Sequence, residues 1–287
     1  MTTFHFSLMK DTKIEWAHHT FNPWWGCRKV SPACLHCYAE TFAKRVGQPV
    51  WGSRAPRRFF GDAHWNEPLK WNEEAKANGV RRRVFCASMA DVFENRTDLN
   101  PWRERLWALI EATPWLDWLL LTKRPENIES MVPWKNGSWP PNVWLGTTVE
   151  SQEYAEQRLP HLLKHAAAVR FLSCEPLLGP VDLSAWFQKP ELYPIDWVIV
   201  GGESGHHSRP MYPQWAQDLL HQCVAAKVPF HFKQWGDWKP VRKSSGRRKT
   251  LHDSVDGKSI ILERVGKKAA GRTLLGRTWD QVPKPRS

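Results

Sequence analysis

The sequence lacks any apolar run approaching the ~20 residues that a membrane-spanning helix needs, so no transmembrane segment is predicted. Cysteine is scarce, with six residues in 287, and the N-terminal residues do not resemble a secretory signal peptide. Together these features argue against a disulfide-stapled secreted scaffold. We therefore predict a cytoplasmic protein whose cysteines are reduced.

Acidic residues are also comparatively few: 29 Asp and Glu stand against 41 Lys and Arg, for a formal net charge of +12. This excess favours association with a polyanion, and a nucleic acid is the first partner to consider. Two arginine groups occur early in the chain, one at Arg57 and Arg58 and one at 81–83. We interpret both as candidate nucleic-acid contacts, with a solvated charged face as the alternative.

Three of the six cysteines lie close together, as Cys27, Cys34 and Cys37 in the spacing C-x6-C-x2-C. Three thiolates placed so closely by the chain can hold a metal centre and leave one coordination position free. The other three cysteines are scattered singly along the chain. We therefore predict Cys27, Cys34 and Cys37 as metal ligands.

Three interpretations of this cysteine cluster remain open. The thiols could simply be packed in the interior, although the charged and polar residues between them argue for a loop. A structural zinc site would take His36, His18 or His19 as its fourth ligand. The interpretation we favour is a 4Fe-4S cluster on three cysteines, with a fourth iron free to bind a small ligand.

The chain alternates short apolar runs with helical patterns at intervals typical of a βα repeat. Continuous apolar runs indicate strands buried on both faces of a parallel sheet. We predict an α/β fold, a partial or complete (βα) barrel of about six to seven βα units, rather than an open doubly wound sheet. Residues 1–236 would form this barrel and residues 237–287 a small basic appendage. The strands are predicted at 20–25, 83–87, 118–121, 143–146, 169–172, 197–200 and 229–232.

Polar residues recur directly after the predicted strands, where reactive groups of such folds belong. We expect these side chains to converge with the cysteine loop on one rim. The candidates for catalysis or for substrate contacts are Lys123, Arg124, Glu150, Glu175, Glu203 and Lys233. The candidates for cofactor binding include Ser88, Asp91 and the pair Gly201 and Gly202, which would let a ligand or another backbone approach closely.

Several sequence blocks resemble a family of phage-encoded three-cysteine-motif proteins that is grouped with the radical S-adenosylmethionine superfamily. The resemblance spans nearly the whole chain. The superfamily's usual spacing is C-x3-C-x2-C, so the first interval is three residues longer here. The matching blocks are 20–27 (TFNPWWGC), 29–34 (KVSPAC), 37–40 (CYAE), 120–126 (LLTKRPE), 173–180 (SCEPLLGP), 200–205 (VGGESG), 209–211 (RPM), 232–236 (FKQWG), 266–272 (GKKAAGR) and 276–279 (GRTW).

This resemblance implies a 4Fe-4S cluster whose unique iron binds the amino and carboxylate groups of S-adenosylmethionine. It further implies one-electron cleavage of the sulfonium, driven by an external electron donor, and abstraction of a substrate hydrogen. Tyr38, directly after Cys37, resembles the aromatic position that leans on the adenine in this superfamily.

Two functions of different classes follow. The first is a radical S-adenosylmethionine-type enzyme that modifies a nucleic acid, suggested by the three thiols together with the basic charge. The second is a zinc-stabilised nucleic-acid-binding protein without catalysis. A radical enzyme acting on a peptide or a small molecule is a further possibility, in which case the positive charge is incidental.

Overall fold

In the computed structural model the structure describes residues 10–134, 138–191, 194–241, 243, 246–252 and 259–284. Seven strands form a sheet in which all neighbours are parallel, in the order β1-β4-β5-β6-β7-β8-β9. β2 pairs with β3, and β10, β12 and β11 form a small antiparallel sheet. The strands are β1 (His19–Thr20), β2 (Trp24–Trp25), β3 (Arg58–Phe59), β4 (Arg82–Cys86), β5 (Leu116–Thr122), β6 (Val143–Thr148), β7 (Val169–Cys174), β8 (Trp197–Gly201), β9 (Phe230–Gln234), β10 (Trp238–Val241), β11 (Arg248–His252) and β12 (Ser259–Arg264).

Helices connect the successive strands of the large sheet. In the described residues, five of the connections, from β4 to β9, hold one α-helix each, whereas the link from β1 to β4 holds three α-helices and the β2–β3 pair. The helices are α1 (Tyr38–Arg45), α2 (Asp62–Trp65), α3 (Glu67–Ala77), α4 (Asn100–Ala112), α5 (Ile128–Met131), α6 (Gln152–Leu162), α7 (Ser184–Phe187), α8 (Pro213–Ala225) and α9 (Lys267–Ala270). None of the described helices has both the length and the apolar character needed to cross a bilayer.

The sheet is curled and open, which makes the fold an α/β partial barrel and confirms the predicted fold class. The edge strands β1 and β9 do not pair with each other. Both faces of the sheet are covered, one by the helices and the other by a separate cluster of buried apolar residues. Burial on both faces explains why the strands read as continuous apolar runs.

Two details of the first βα connection differ from the predictions. The strand predicted at 20–25 is divided: only His19–Thr20 joins the large sheet, and Trp24–Trp25 pairs antiparallel with β3. Pro23 interrupts this run, since proline has no backbone N–H to donate. The helices α2 and α3 were not predicted, because the buried face of α3 includes the polar Asn72 and its apolar periodicity is weak.

An aromatic cluster fills the concave side of the sheet. Trp16 lies in its middle, with ring centroids 4.5 Å from Phe85 and 6.3 Å from both Phe171 and Trp197. The Phe171 ring rests on Gly146 of β6, where an added Cβ would lie 2.4 Å from a ring carbon. Only glycine therefore fits there, and the cluster closes the amino-terminal part of the half-barrel by side-chain packing.

The C-terminal segment covers the exposed edge of β9. The backbone N–H of Phe232 donates to the carbonyl of Trp279, and that of Gln281 donates to the carbonyl of Phe230. Covering an edge strand in this way removes a surface on which another chain could pair. Leu274 is fully buried in the main core cluster. The division of the chain after residue 236 stays a prediction.

His231 on β9 is a buried imidazole beside this cluster, 2% exposed, with its ring centroid 6.1 Å from that of Trp197. Neither ring nitrogen has a hydrogen-bond partner among the described residues, and the Asp280 carboxylate is 3.9 Å away. Burial, aided by the positive charges of Arg272 and Lys233, lowers the pKa of His231 to about 3. The folded protein therefore holds this imidazole neutral.

An acid-dependent loss of stability follows. Between about pH 6.5 and pH 3 the unfolded chain binds one more proton at His231 than the folded chain, so stability falls as the pH is lowered. The slope from this residue is at most about 1.4 kcal/mol per pH unit. In urea unfolding at pH 7 and pH 5, His231→Phe should reduce the loss of stability. The same replacement at the exposed His221 should not, and equal slopes in the two variants would contradict the assignment.

Candidate functional site

A cavity of about 360 Å³ opens at the carboxyl ends of the parallel strands. Trp16 and Phe85 of the aromatic cluster form part of its apolar wall. The cysteine loop, residues 27–37, contributes the thiols of Cys27, Cys34 and Cys37 to the same cavity. Polar residues that end or follow β4, β5, β6, β7 and β9 complete the lining. The sheet and the cysteine loop therefore meet at one site.

Most of the residues that the sequence singles out are brought together here. Those that line the cavity are Cys27, Cys34, Cys37, Tyr38, Ser88, Asp91, Lys123, Arg124, Glu175 and Lys233. Glu150, Glu203, Gly201 and Gly202 do not line it. Each of these four supports a neighbouring part of the structure instead.

Tyr38 begins α1 directly after Cys37, so the turn of the chain at the helix start carries its ring into the cavity. Its hydroxyl donates to the backbone carbonyl of Ser88, at 2.9 Å. This bond ties the start of α1 to the residues after β4. The side chain is nevertheless 57% exposed, which leaves a face of the ring available to a ligand.

Asp91 and Arg124 form a buried ion pair next to the cysteine loop. The Nη1 of Arg124 lies 2.7 Å from Oδ2 of Asp91, and the side chains are 3% and 9% exposed. Asp91 also accepts hydrogen bonds from the Thr122 hydroxyl and the backbone N–H of Lys123. Arg124 in turn donates from Nη2 to the carbonyl of Arg28, at 2.9 Å. Both charges are thus paired and hydrogen-bonded, as burial requires.

The same guanidinium contacts the first thiol of the loop. Nη1 and Nη2 of Arg124 each lie 3.8 Å from Sγ of Cys27. Burial raises the pKa of the Cys27 thiol to about 12, and the charge of Arg124 offsets part of that rise. Burial also acts to raise the pKa of Asp91, but Arg124 and the surrounding donors outweigh it and hold that pKa below its ordinary value.

A second arginine holds the middle of the cysteine loop. Arg209 donates from Nε to Oε2 of Glu203 at 2.9 Å, and from Nη2 to the carbonyl of Pro32 at 3.0 Å. Glu203 follows β8, and its side chain is 5% exposed. The predicted catalytic candidate Glu203 therefore anchors an arginine that connects the strand ends to the loop, and it does not face the cavity.

A third arginine is buried behind the loop. Arg57 and Glu94 form an ion pair of 2.7 Å with both side chains fully buried. The guanidinium also donates to the carbonyls of Val50 and Ala55. Arg57 is consequently not available to a polyanion, although the sequence suggested it as a nucleic-acid contact.

The far wall of the cavity carries both signs of charge. Lys233 Nζ lies 3.1 Å from Oε1 of Glu175, and the Ser173 hydroxyl lies 3.3 Å from Oε2 of the same carboxylate. Lys123 donates from Nζ to the hydroxyl of Thr148, at 3.2 Å. These side chains can orient a zwitterionic or hydroxyl-bearing ligand, because the wall offers two ammonium donors, Lys123 and Lys233, and one carboxylate acceptor, Glu175.

The glycine pair serves close packing. A Cβ on Gly201 would lie 2.7 Å from Oε1 of Glu175, so this glycine makes room for a carboxylate of the cavity wall. A Cβ on Gly202 would lie 2.1 Å from the carbonyl oxygen of Trp235, so another backbone passes there. The sequence predicted that the glycine pair admits a ligand or another backbone, and at Gly202 the neighbour is the backbone of Trp235.

Glu150 lies behind the cavity rather than in it. Its Oε2 lies 2.6 Å from Nη1 of Arg158, which also donates to the Thr148 carbonyl at 2.8 Å. This pair connects α6 to the end of β6. Oε1 of Glu150 is buried and has no partner within the described residues.

Three thiols line the cavity, which is the type and number of ligands that a 4Fe-4S cluster on three cysteines takes. In the part of the chain that the structure describes, no three His, Cys, Asp or Glu side chains are arranged to hold one metal ion. A single zinc ion needs its ligand atoms about 2.0–2.3 Å from one point. Each thiolate of a 4Fe-4S cluster binds a different iron, so those sulfurs stand farther apart.

The histidines considered for zinc lie elsewhere. His18 and His19 border a separate cavity of about 370 Å³ near β1. The ring centroid of His36 lies 5.6 Å from that of His207. None of these histidines is among the residues that line the cysteine cavity.

Two contributors to the site escaped sequence analysis. Trp16 lines the cavity although it precedes the first strand. Its role is visible only in the folded chain, where it packs among other aromatic residues. Arg209 belongs to a recognisable sequence block, but its contact with Pro32 joins residues 177 positions apart. No local pattern indicates such a pairing.

The family model described as "Protein of unknown function (DUF5131)" matches residues 11–283. The chain belongs to this family. No curated protein matches the chain significantly.

Two solved structures are similar to the chain in part. The first is a doubly substituted mutant of spore photoproduct lyase with bound AdoMet and dinucleoside spore photoproduct, at 12% identity and a TM-score of 0.46, covering 90% of this chain and 72% of that one. The second is a singly substituted mutant of spore photoproduct lyase, at 14% identity and a TM-score of 0.45, covering 88% and 70%.

The arginine that holds the middle of the cysteine loop gives a direct test. Arg209→Met removes the donor to the Pro32 carbonyl and leaves the buried Glu203 carboxylate short of a partner. We expect faster amide hydrogen exchange over residues 28–37 and a loss of about 1–3 kcal/mol of stability. Arg105→Met, which breaks an exposed ion pair with Asp62, is the control and should cost about 0–1 kcal/mol. Unchanged exchange in the loop of the Arg209 variant would rule out the anchoring role.

Proposed function

We propose that the protein is an iron–sulfur enzyme of the radical S-adenosylmethionine type that acts on a nucleic acid. The observation that carries the proposal is that three cysteines of one loop line a single cavity at the carboxyl ends of the strands. Such a position is where α/β folds bind their ligands. The sequence resemblance to three-cysteine-motif proteins supports the same assignment.

The chain's own residues have distinct roles in this proposal. Cys27, Cys34 and Cys37 would hold the cluster, which with bound S-adenosylmethionine supplies one-electron sulfonium cleavage and hydrogen abstraction. Tyr38 would cover the adenine with its exposed face. Lys233 and Glu175 would orient the polar end of the cofactor or substrate. The aromatic cluster below the cavity would exclude water from the reacting groups.

A nucleic-acid substrate is supported by the charge and by the surroundings of the cavity. Arg28 and Lys29 are exposed at its margin, and the chain carries a formal charge of +12. A neighbouring open groove of about 510 Å³ shares Arg28 and Lys123 with the cavity and is also lined by Tyr154. Cations beside an aromatic ring suit a phosphate backbone with a stacked base.

The metal content tests the enzyme proposal. After anaerobic reconstitution with iron and sulfide, the protein should hold about four of each and show broad visible charge-transfer absorption. Replacing Cys27, Cys34 or Cys37 by Ala should abolish most of the iron and the absorption. Cys223→Ala, a buried cysteine on α8, is the control and should retain both. About one zinc and no iron in anaerobically purified protein would instead favour the zinc-stabilised binding protein.

Salt dependence tests the nucleic-acid part separately. For single-stranded oligonucleotides, log affinity should fall linearly with log salt, with a slope of about −0.7 per neutralised phosphate. The double variant Arg28→Gln/Lys29→Gln should make the slope shallower by about 1.4. Lys70→Gln/Lys76→Gln on α3 removes the same charge away from the cavity and should leave the slope unchanged. Affinity that is insensitive to salt would favour a peptide or small-molecule substrate.

A further inference from the structure

The three thiols of the cysteine loop have different surroundings. Sγ of Cys27 faces a guanidinium, with Nη1 and Nη2 of Arg124 both 3.8 Å away. Sγ of Cys34 lies 3.9 Å from the hydroxyl of Ser31, a neutral and weaker partner. Cys37 receives backbone hydrogen bonds from Ala39 and Glu40 and feels the charge of Lys123. Among the three thiols, direct contact with a guanidinium is described for Cys27.

The guanidinium has little freedom to move away from this sulfur. Its Nη1 is bound to Asp91 and its Nη2 to the carbonyl of Arg28, and the side chain is 3% exposed. Asp91 is itself fixed by the backbone N–H groups of Phe93 and Lys123. The contact with Cys27 is thus preorganised by the sheet and does not depend on the loop alone.

A buried positive charge this close to a cluster ligand acts on the redox equilibrium. Reduction adds one negative charge to a 4Fe-4S cluster, and a nearby guanidinium stabilises the more negative form more strongly. Hydrogen bonds to the ligating sulfurs, net charge and solvent exposure are the features through which a protein sets the potential of such a cluster. Solvent screens the interaction little, because the Arg124 side chain is 3% exposed.

We infer that Arg124, held by Asp91, is the residue that sets the reduction potential of the cluster by donating to the sulfur of Cys27. The inference rests on the proposed function, since it requires a cluster on the three cysteines. The reaction is a one-electron reduction: the cluster takes one electron from an external low-potential donor, no proton is transferred, and Arg124 raises the potential at which this occurs. Arg124 is a positioning residue, because it acts through Cys27.

The test is a spectroelectrochemical titration of the reconstituted protein under strictly anaerobic conditions, with dithionite as the donor. Arg124→Gln should lower the midpoint potential so that the equilibrium of reduction changes about tenfold or more, where tenfold is about 59 mV for one electron. Arg124→Lys keeps the charge but cannot contact the Cys27 sulfur through two nitrogens, so it should shift the potential less. The electron paramagnetic resonance spectrum of the reduced protein provides a second readout.

Two further variants keep the result interpretable. Asp91→Asn/Arg124→Gln removes both charges, so no carboxylate is left buried and unpaired if the single variant does not fold. The potential of this double variant should lie below that of the wild type but above that of Arg124→Gln, because losing the Asp91 carboxylate offsets part of the lost positive charge. Arg28→Gln removes an exposed charge one residue from the same cysteine and should change the reduction equilibrium less than about twofold, because solvent screens it.

The outcomes separate the inference from the proposed function. A wild-type protein that assembles no iron–sulfur cluster contradicts the proposed function. A wild-type cluster whose potential is unchanged in Arg124→Gln, or in the double variant where the single one does not fold, overturns the role of Arg124 alone. A lowered potential in the Arg124 variants with a wild-type value in Arg28→Gln supports it.

Discussion

The buried pair of Asp91 and Arg124 fixes the cysteine loop to the sheet, and the geometry of the site depends on it. Removing two charges from water is costly, and their attraction compensates only when the remaining donors and acceptors are also satisfied. Here Nη1 and Nη2 of Arg124 find partners with the loop in place, because they contact the Arg28 carbonyl and the Cys27 sulfur, whereas Nε has no partner among the described residues. The loop and the strand ends therefore stabilise each other.

Two other arginines repeat this arrangement around the loop. Arg209 with Glu203 holds the Pro32 carbonyl, and Arg57 with Glu94 holds the chain that follows α1. In each case a buried carboxylate orients a guanidinium, which then binds backbone carbonyls of irregular chain. Arginine suits this task because its planar fork can bind a carboxylate and a carbonyl at once. Part of the positive charge around the loop is thus structural, whereas Arg28 and Lys29 are exposed at the cavity.

The open sheet explains where the cavity lies. On the concave face of the half-barrel, Trp16 packs with Phe171 and Trp197 and fills the amino-terminal part. The strand ends above this cluster are polar and leave space, so the cavity has an apolar base and a charged wall. The depth of the site is consequently set by aromatic packing, whereas its chemistry is set by residues that end or follow the strands.

Local sequence patterns predict most strands of the large sheet and many of the cavity residues. Continuous apolar runs and the βα interval predicted six of the seven strands of the sheet, because burial on both faces of a parallel sheet leaves that signature in the chain. The position directly after a strand identified six of the cavity residues, the cysteine spacing identified three, and the family resemblance identified Tyr38. Only the folded chain decided that the barrel is open, that Glu150 and Glu203 anchor arginines away from the cavity, and that Arg57 is buried. These features depend on which charged groups, far apart in the sequence, are buried together in the low-dielectric interior. Such pairings leave no pattern in the local sequence.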